Sequence, residues 1–522
     1  MNLPSPERPG DVAPQTSAAA RASPSRPAVG PWVGWLLVTC VLWNSCASHA
    51  DSKWSDGLLA RGTYPRTPAF ALAALRGAGT DDDDISRYLA YANAASGRPY
   101  QPFYVRPLEG WTGAQPEKPV DPDPDDPRQT PPVRHERPLL PYRDFSVEYP
   151  PGFFLLAVPP ALLGLDLDGY RLVFSLWMAL LLTAALFAAI RIGRVLRPGA
   201  DPPMAVATLL ALALGTVAVR RFDAIVSLSL CLFLDGCLRR RPVLAGLALG
   251  VGLVTKIVPV LIIPAALVYW GAQRRWRELS VTAAVTAAVA LGVGVPFLWV
   301  SGPHALDFLR YHGARPLEVE STWAALLTVG RFFDPASAWR VASYGSDNVV
   351  GPGDRFLLPL AGIAPLLATA AILVWSVVQT RSALRRENGE RLSGEVLVRA
   401  ACATLAASMT LGKVFSAQYL TWLLPAGALV SVLDGGRRRR TALLLLGGAL
   451  LLTQLNQHLF FGIHGNGPHP VMGLLFLLRN GLLLVWAVWI LAPGPARRAV
   501  AAVSEPSPMS SAGLPSPSTV PH

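Results

Sequence analysis

Residues Arg220–Lys256 read RRFDAIVSLSLCLFLDGCLRRRPVLAGLALGVGLVTK. Two apolar runs, 222–238 and 242–255, stand back to back around the triplet Arg239–Arg241. Neither run carries a polar face, and a helix that is apolar all round is buried in a large core or in lipid. Arginines clustered in the short connection mark a cytoplasmic loop of a membrane protein. The opposite ends of the two runs carry Arg220, Arg221, Asp223 and Lys256, which the same topology puts on the outer side.

This unit repeats in kind, though not in sequence, along most of the 522 residues. Further apolar runs lie near 170–190, 203–219, 256–270, 278–300, 356–379, 397–412, 415–433, 441–459 and 473–492, with an earlier one at 32–47. Composition agrees. Apolar residues make up 52% of the chain and charged residues 15%, against about 25% charged in soluble proteins, and mean hydropathy is +0.36. Five cysteines without framework spacing exclude a disulfide-built secreted domain. The net charge of +12 resides in arginine clusters between apolar runs (Arg239–Arg241, Arg274–Arg277, Arg381–Arg391, Arg437–Arg440). No nucleic-acid motif accompanies them, so no nucleic-acid partner is expected.

The expected fold is therefore an all-α polytopic membrane protein of about twelve spans, with eleven to thirteen as the range. The uncertain element is Phe153–Leu163, apolar but interrupted by Pro159 and Pro160, which reads as a broken or re-entrant helix. Residues 1–29 and 493–522, rich in Pro, Ser and Ala, are expected to be disordered cytoplasmic tails. Between them, 30–492 form one membrane domain with a long first outer loop at 49–150 and a second at 301–355. The first loop is acidic and holds a Pro/Asp-rich stretch, 116–138.

In such a chain, ionisable groups at or near membrane depth are the functional candidates. Of 46 basic residues only Lys53, Lys118, Lys256 and Lys413 are lysine, and the last two stand within apolar segments. An ammonium there must be paired or snorkel to the head groups, and a compact cation also suits phosphate. The run Asp81–Asp84 precedes Tyr88 and a short helical stretch that Gly97 and Pro99 should end. Four adjacent carboxylates raise one another's pKa, which fits a general base, a divalent-cation site (Asp81 and Asp82 among its ligands) or a solvated turn. Glu148-Tyr149-Pro150-Pro151 stands where the chain returns to the membrane, its prolines stiffening the re-entry.

The order of these motifs resembles the integral-membrane glycosyltransferases of the GT-C superfamily. More narrowly it resembles glycosyltransferase family 87, the bacterial polyprenyl-phosphate-mannose-dependent α-mannosyltransferases. The matching segments are Asp84-x-x-x-Tyr88, Gly97-Arg-Pro-Tyr100, Glu148-Tyr-Pro-Pro151, Arg221-Phe-Asp223, the Lys256 segment, Tyr311-His312…Arg315…Glu320-Ser-Thr-Trp323, and Lys413-Val-Phe-Ser-Ala-Gln418-Tyr419. The four consecutive aspartates and the 116–138 insert depart from the family pattern.

The resemblance implies a GT-C-like bundle in a bacterial-type plasma membrane. It implies transfer of a single sugar, mannose foremost, from a polyprenyl-phosphate donor to an extracytoplasmic glycolipid or glycan, with inversion at the anomeric carbon. Asp84 is the preferred base, with Asp83 as the alternative. Lys256, Lys413, His312 and Arg315 are the donor-phosphate contacts. Tyr88, Glu148, Tyr149, Arg221, Asp223, Glu320, Gln418 and Tyr419 orient the substrates. No organic cofactor is called for. The rival readings are a GT-C enzyme using lipid-linked arabinose or glucose, and a transporter or flippase, which would gather its charges near mid-membrane.

Overall fold

A computed structural model describes residues 35, 83–108, 131–200, 203–459 and 468–492. The expected first span apart from Trp35, residues 116–130 of the Pro/Asp-rich stretch, both tails, Asp81 and Asp82, and the side chain of Asp83 lie outside the described residues.

The architecture is mostly helical. The first described helix, α1 (Asp83–Ala95), presents Ile85, Tyr88, Tyr91 and Ala92 to the interior at helical spacing. It ends at Gly97, whose φ of +70° suits a residue without Cβ, two positions before Pro99. A 3-10 turn at Pro151–Phe153 leads into the short α2 (Phe154–Ala161), which contains Pro159 and Pro160. The segment from Pro151 to Ala161 rises only about 16 Å at 1.5 Å per residue, roughly half of a ~30 Å hydrocarbon core. Its free carbonyls at Ala161 and Leu162 accept from the Arg98 guanidinium at 2.7 and 2.6 Å.

The chain then turns through α3 (Leu167–Leu196), capped by Asp166 on the Gly169 amide, and on to α4 (Met204–Leu214). Gly215, at φ +67°, separates α4 from the one-turn α5 (Val217–Arg220). Next come α6 (Ala224–Leu238), α7 (Pro242–Thr255), a 3-10 turn at Val258–Ile262, α8 (Ile263–Ala272) and α9 (Trp276–Ser301). The segment 301–353 holds α10 (Asp307–Ala314), α11 (Thr322–Gly330) and a small antiparallel sheet. The sheet consists of β1 (Leu317–Glu318), β2 (Trp339–Ser343) and β3 (Ser346–Val350), in the order β1-β3-β2. Tyr344 and Gly345 join β2 to β3 at φ of 54° and 59°, as two-residue hairpins of this twist require. The last helices are α12 (Asp354–Leu384), α13 (Gly389–Leu411), α14 (Leu423–Leu433), α15 (Gly436–Leu459) and α16 (Pro470–Leu491).

Nearly every expected apolar run from 170 onward is thus a helix, but not every one is a full span. Five described helical stretches are long and apolar enough to cross a membrane: Leu167–Leu196, Trp276–Ala314, Asp354–Leu384, Gly389–Leu411 and Pro470–Leu491. Six more apolar helices have only 10–17 residues. Full-length spans therefore fall short of twelve among the described residues, because turns such as Gly215 and the 3-10 segment at Val258–Ile262 divide the runs.

Packing sorts the helices. α13 is almost wholly enclosed, whereas α9 and α12 expose leucines and Trp299 along most of their length. That is surface which lipid, not water, would cover. Helix α7 meets α9 through Gly246 and Gly250, spaced as a GxxxG pair. A Cβ on either would stand 2.6–2.7 Å from Val285 or Val289 Cβ, so the two backbones approach as closely as glycine permits. A second, smaller core joins Leu317, Val319, Ala324 and Val349 to Met472 and Phe476 of α16.

The arginine-bearing connections share one end of the bundle. Arg240, before α7, bonds Glu390 at 2.7 Å, and Arg275, before α9, reaches the same carboxylate at the start of α13. The opposite ends of α6, α7 and α13 therefore share the other end. They carry Asp223, Lys256 and Lys413.

Candidate active site

At that end α1 lies across the bundle. Asp84, Arg87, Tyr88 and Tyr91 fall at i, i+3, i+4 and i+7, one face of the helix. Asp84 Oδ2 accepts from Arg221 Nε at 2.7 Å, and its other oxygen lies 3.7 Å from Arg87. Arg87 in turn donates to Glu148 Oε1 at 2.8 Å, and the Tyr91 hydroxyl to Glu148 Oε2 at 2.6 Å. Tyr88 is buried in a cage of Tyr149, Phe153, Phe174 and Phe222, with centroids 5.2–5.8 Å away. Burial and the Asp84 charge push its phenol well above the ordinary value, so it stays neutral.

The returning segment is fixed against this face. The Tyr142 hydroxyl donates to the Tyr149 carbonyl at 2.6 Å. Gly152 packs on α7 so closely that a Cβ would lie 2.5 Å from the Val254 carbonyl oxygen. Two residues beyond Val254, Lys256 ends α7 in extended conformation. Its Nζ donates to Asp223 Oδ1 at 2.7 Å, and Trp422 Nε1 donates to the same oxygen at 2.7 Å. The Phe222 and Tyr419 rings stand 4.9 Å from the ammonium and the Trp422 ring 5.4 Å. An ammonium faced by three rings and a carboxylate is strongly held. The Tyr419–Trp422 stack, with centroids 4.5 Å apart, belongs to the 3-10 turn Ala417–Trp422. That turn is tied to α6 by the Ser227 hydroxyl on the Thr421 carbonyl at 2.9 Å.

A second group of cations completes the arc. The Arg315 guanidinium is buried and bonds the Ser346 hydroxyl. Lys413 donates to the Gly313 carbonyl. Burial and the nearby Arg315 charge lower the Lys413 pKa from its ordinary value. His312 feels the charges of Arg315, Lys256 and Lys413 together. The α13 terminus that presents Lys413 is capped from the start of α11, with Trp323 Nε1 on the Leu411 carbonyl at 2.6 Å.

Of the residues singled out from sequence, Asp84, Tyr88, Glu148, Tyr149, Arg221, Asp223, Lys256, His312, Arg315, Lys413 and Tyr419 gather at this end. Glu320 is engaged elsewhere. Its carboxylate bonds Arg479 of α16, and its carbonyl accepts from Arg479 at 2.8 Å and Asn480 at 3.1 Å. Gln418 accepts from Ser416 within its own turn. Arg87, Tyr91 and Trp422 were not singled out. Their signal was present, as the i+3 and i+7 partners of Asp84 and the i+3 partner of Tyr419. Among the described residues, no group of three or more His, Cys, Asp and Glu is arranged to hold a metal ion.

Chemically, the arc offers a carboxylate poised on two arginines, beside cations able to receive an oxyanion at the edge of an apolar bundle. The profile of glycosyltransferase family 87 matches residues 147–398, a stretch that runs from just before Glu148 past Arg221, Asp223, Lys256, His312 and Arg315. Comparison with curated proteins gives no match. The apolar helices and this match together support a membrane glycosyltransferase. Over that stretch, just under half of the chain, it is similar to family 87, the family whose motifs the sequence resembles.

Proposed function

We propose that the protein transfers one sugar, mannose foremost, from a polyprenyl-phosphate carrier to a hydroxyl of an extracytoplasmic glycolipid or glycan, inverting the anomeric configuration. The observation that carries this reading is the convergence of Asp84, Arg221, Asp223, Lys256, Arg315 and Lys413 at the bundle end opposite the arginine-rich turns. Polyprenyl donors lie in the bilayer with their phosphate at the interface, where these side chains stand. The turns carry the positive charge that marks the cytoplasmic side, so the site faces away from it.

In the reaction the acceptor oxygen attacks the anomeric carbon and its proton passes to Asp84, with Asp83 the alternative acceptor. The carbon–oxygen bond to phosphate breaks, and its electron pair leaves with the polyprenyl phosphate. Arg221, which pairs with Asp84, also stands within the cationic group and can shift toward the phosphate, leaving the carboxylate to act as base. Lys256, Lys413, His312 and Arg315 offset the charge growing on the leaving group. Tyr88, Glu148, Tyr149, Asp223 and Tyr419 hold these groups in register. The test is incubation of membranes containing the protein with radiolabelled polyprenyl-phosphate mannose, arabinose and glucose, followed by analysis of the product. Labelled product from one donor, with inverted configuration, is expected. Absence of transfer from all three, or a retained configuration, refutes the reading.

A further inference from the structure

Glu318 lies in the cationic arc and has no role in the mechanism above. Its backbone amide bonds the Lys413 carbonyl at 3.0 Å, which ties β1 to the loop after α13. The Glu318 side chain is 7% exposed and that of Arg315 9%. Two buried, opposite charges would be expected to close to 2.7–2.9 Å. Here the nearest approach, Arg315 Nη2 to Glu318 Oε1, is 3.9 Å. Glu318 Oε2 and Arg315 Nε are both buried with no hydrogen-bond partner. Such orphans are costly in a finished interior and point to a site completed by something else.

The groups bearing on Glu318 come from every side. Arg315 precedes β1, Glu320 follows it, Arg479 approaches from α16, Tyr419 from the 3-10 turn, and the Phe415 amide donates to it. Burial dominates, Glu320 adds to it, and the two arginines oppose it, so the carboxyl is pushed up to about 7.

We propose that Glu318 is a positioning residue, whose proton decides how much of the Arg315 charge reaches the donor phosphate. With the proton on, Arg315 is an uncompensated cation free to bind the phosphate. With the proton off, Glu318 competes with the phosphate for Arg315. Binding of the singly charged phosphodiester therefore takes up a proton. This inference rests on the reading of Arg315 as a phosphate contact.

The experiment uses the full-length protein in detergent or nanodiscs. The donor KM of the wild type should climb as pH rises from 6 to 8, by up to about tenfold per pH unit, the limit for one proton, while kcat changes less. In Glu318→Gln the donor KM should be flat over that range. In Arg315→Gln it should be raised and also flat, because Glu318 acts through Arg315. A Glu318→Gln profile that tracks the wild type overturns the proposal.

Calorimetry on the wild type alone, with a phosphonate analogue of the donor in two buffers of different ionisation enthalpy at pH 7.5, should register proton uptake. Binding without uptake overturns this inference and leaves the sugar-transfer reading intact. Failure to bind the analogue or to turn over any polyprenyl-phosphate sugar refutes both.

Discussion

Replacing Lys256 by methionine separates what this ammonium does for the fold from what it does for catalysis. Asp223 is 1% exposed. Its Oδ1 receives both Lys256 and Trp422 at 2.7 Å. Lys256→Met leaves the tryptophan bond and removes the charge partner. Stripping one member from a buried pair costs about 3–5 kcal/mol, because the survivor is left uncompensated. The lower end applies here, since the Trp422 hydrogen bond remains and Arg221 is nearby.

Asp223→Asn together with Lys256→Met leaves no buried charge, and an amide keeps the bond from Trp422. The double variant should recover most of that loss, a coupling of about 2 kcal/mol or more in a double-mutant cycle. Thermal unfolding in detergent, followed by tryptophan fluorescence, reads the stability arm. Transfer from a lipid-linked donor reads the other. The double variant is expected to be folded and still slow by at least tenfold, because the phosphate has lost a cation. Wild-type turnover in the double variant would refute the role of Lys256 at the phosphate. Two single variants whose losses simply add would refute the ion pair itself.

Further outcomes follow from the same geometry. Asp84→Asn should lower kcat by about 10²–10⁴, the usual worth of a general base, and Asp83→Asn by much less. Full turnover in Asp84→Asn would remove it as the base. Gly250→Leu should destabilise the protein by about 1–3 kcal/mol through overpacking against Val289, seen as a lower unfolding temperature, with the α7–α9 seam as the cause. Arg479→Met should destabilise by about 3–5 kcal/mol by stranding the buried Glu320. Adding Glu320→Gln should restore most of it, and a stable single variant would contradict the pairing.

Helix positions were largely legible in the sequence because hydropathy alone sets them in lipid. The runs at 222–238 and 242–255 became α6 and α7 within two residues. Span length was less legible. Gly215 and the 3-10 turn at Val258–Ile262 interrupt runs whose hydropathy is continuous, since backbone geometry does not alter apolar character.

At the site, residues carrying charge against an apolar background stood out, as Lys256 and Asp223 did. Arg479 should have stood out on the same ground, lying inside the apolar run Pro470–Leu491. Partners such as Arg87 and Tyr91 were harder to see, because they lie in an ordinary polar stretch and matter only through the helix face they share with Asp84. The divided loyalties of Glu318 and Glu320, one toward Arg315 and the other toward Arg479, depend on tertiary approach alone.

Gly152 has a consequence for how faithfully this site keeps its shape. The chain bearing Glu148 and Tyr149 rests directly on the peptide oxygen of Val254, main chain upon main chain, two residues from Lys256. Rotamer changes have little purchase on a spacing set chiefly by the Val254 peptide, with only the Val254 Cγ2 methyl beside it. Thickening or thinning of the surrounding lipid would tilt both strands of that contact together, so the carboxylate side and the ammonium side of the cleft travel as one piece.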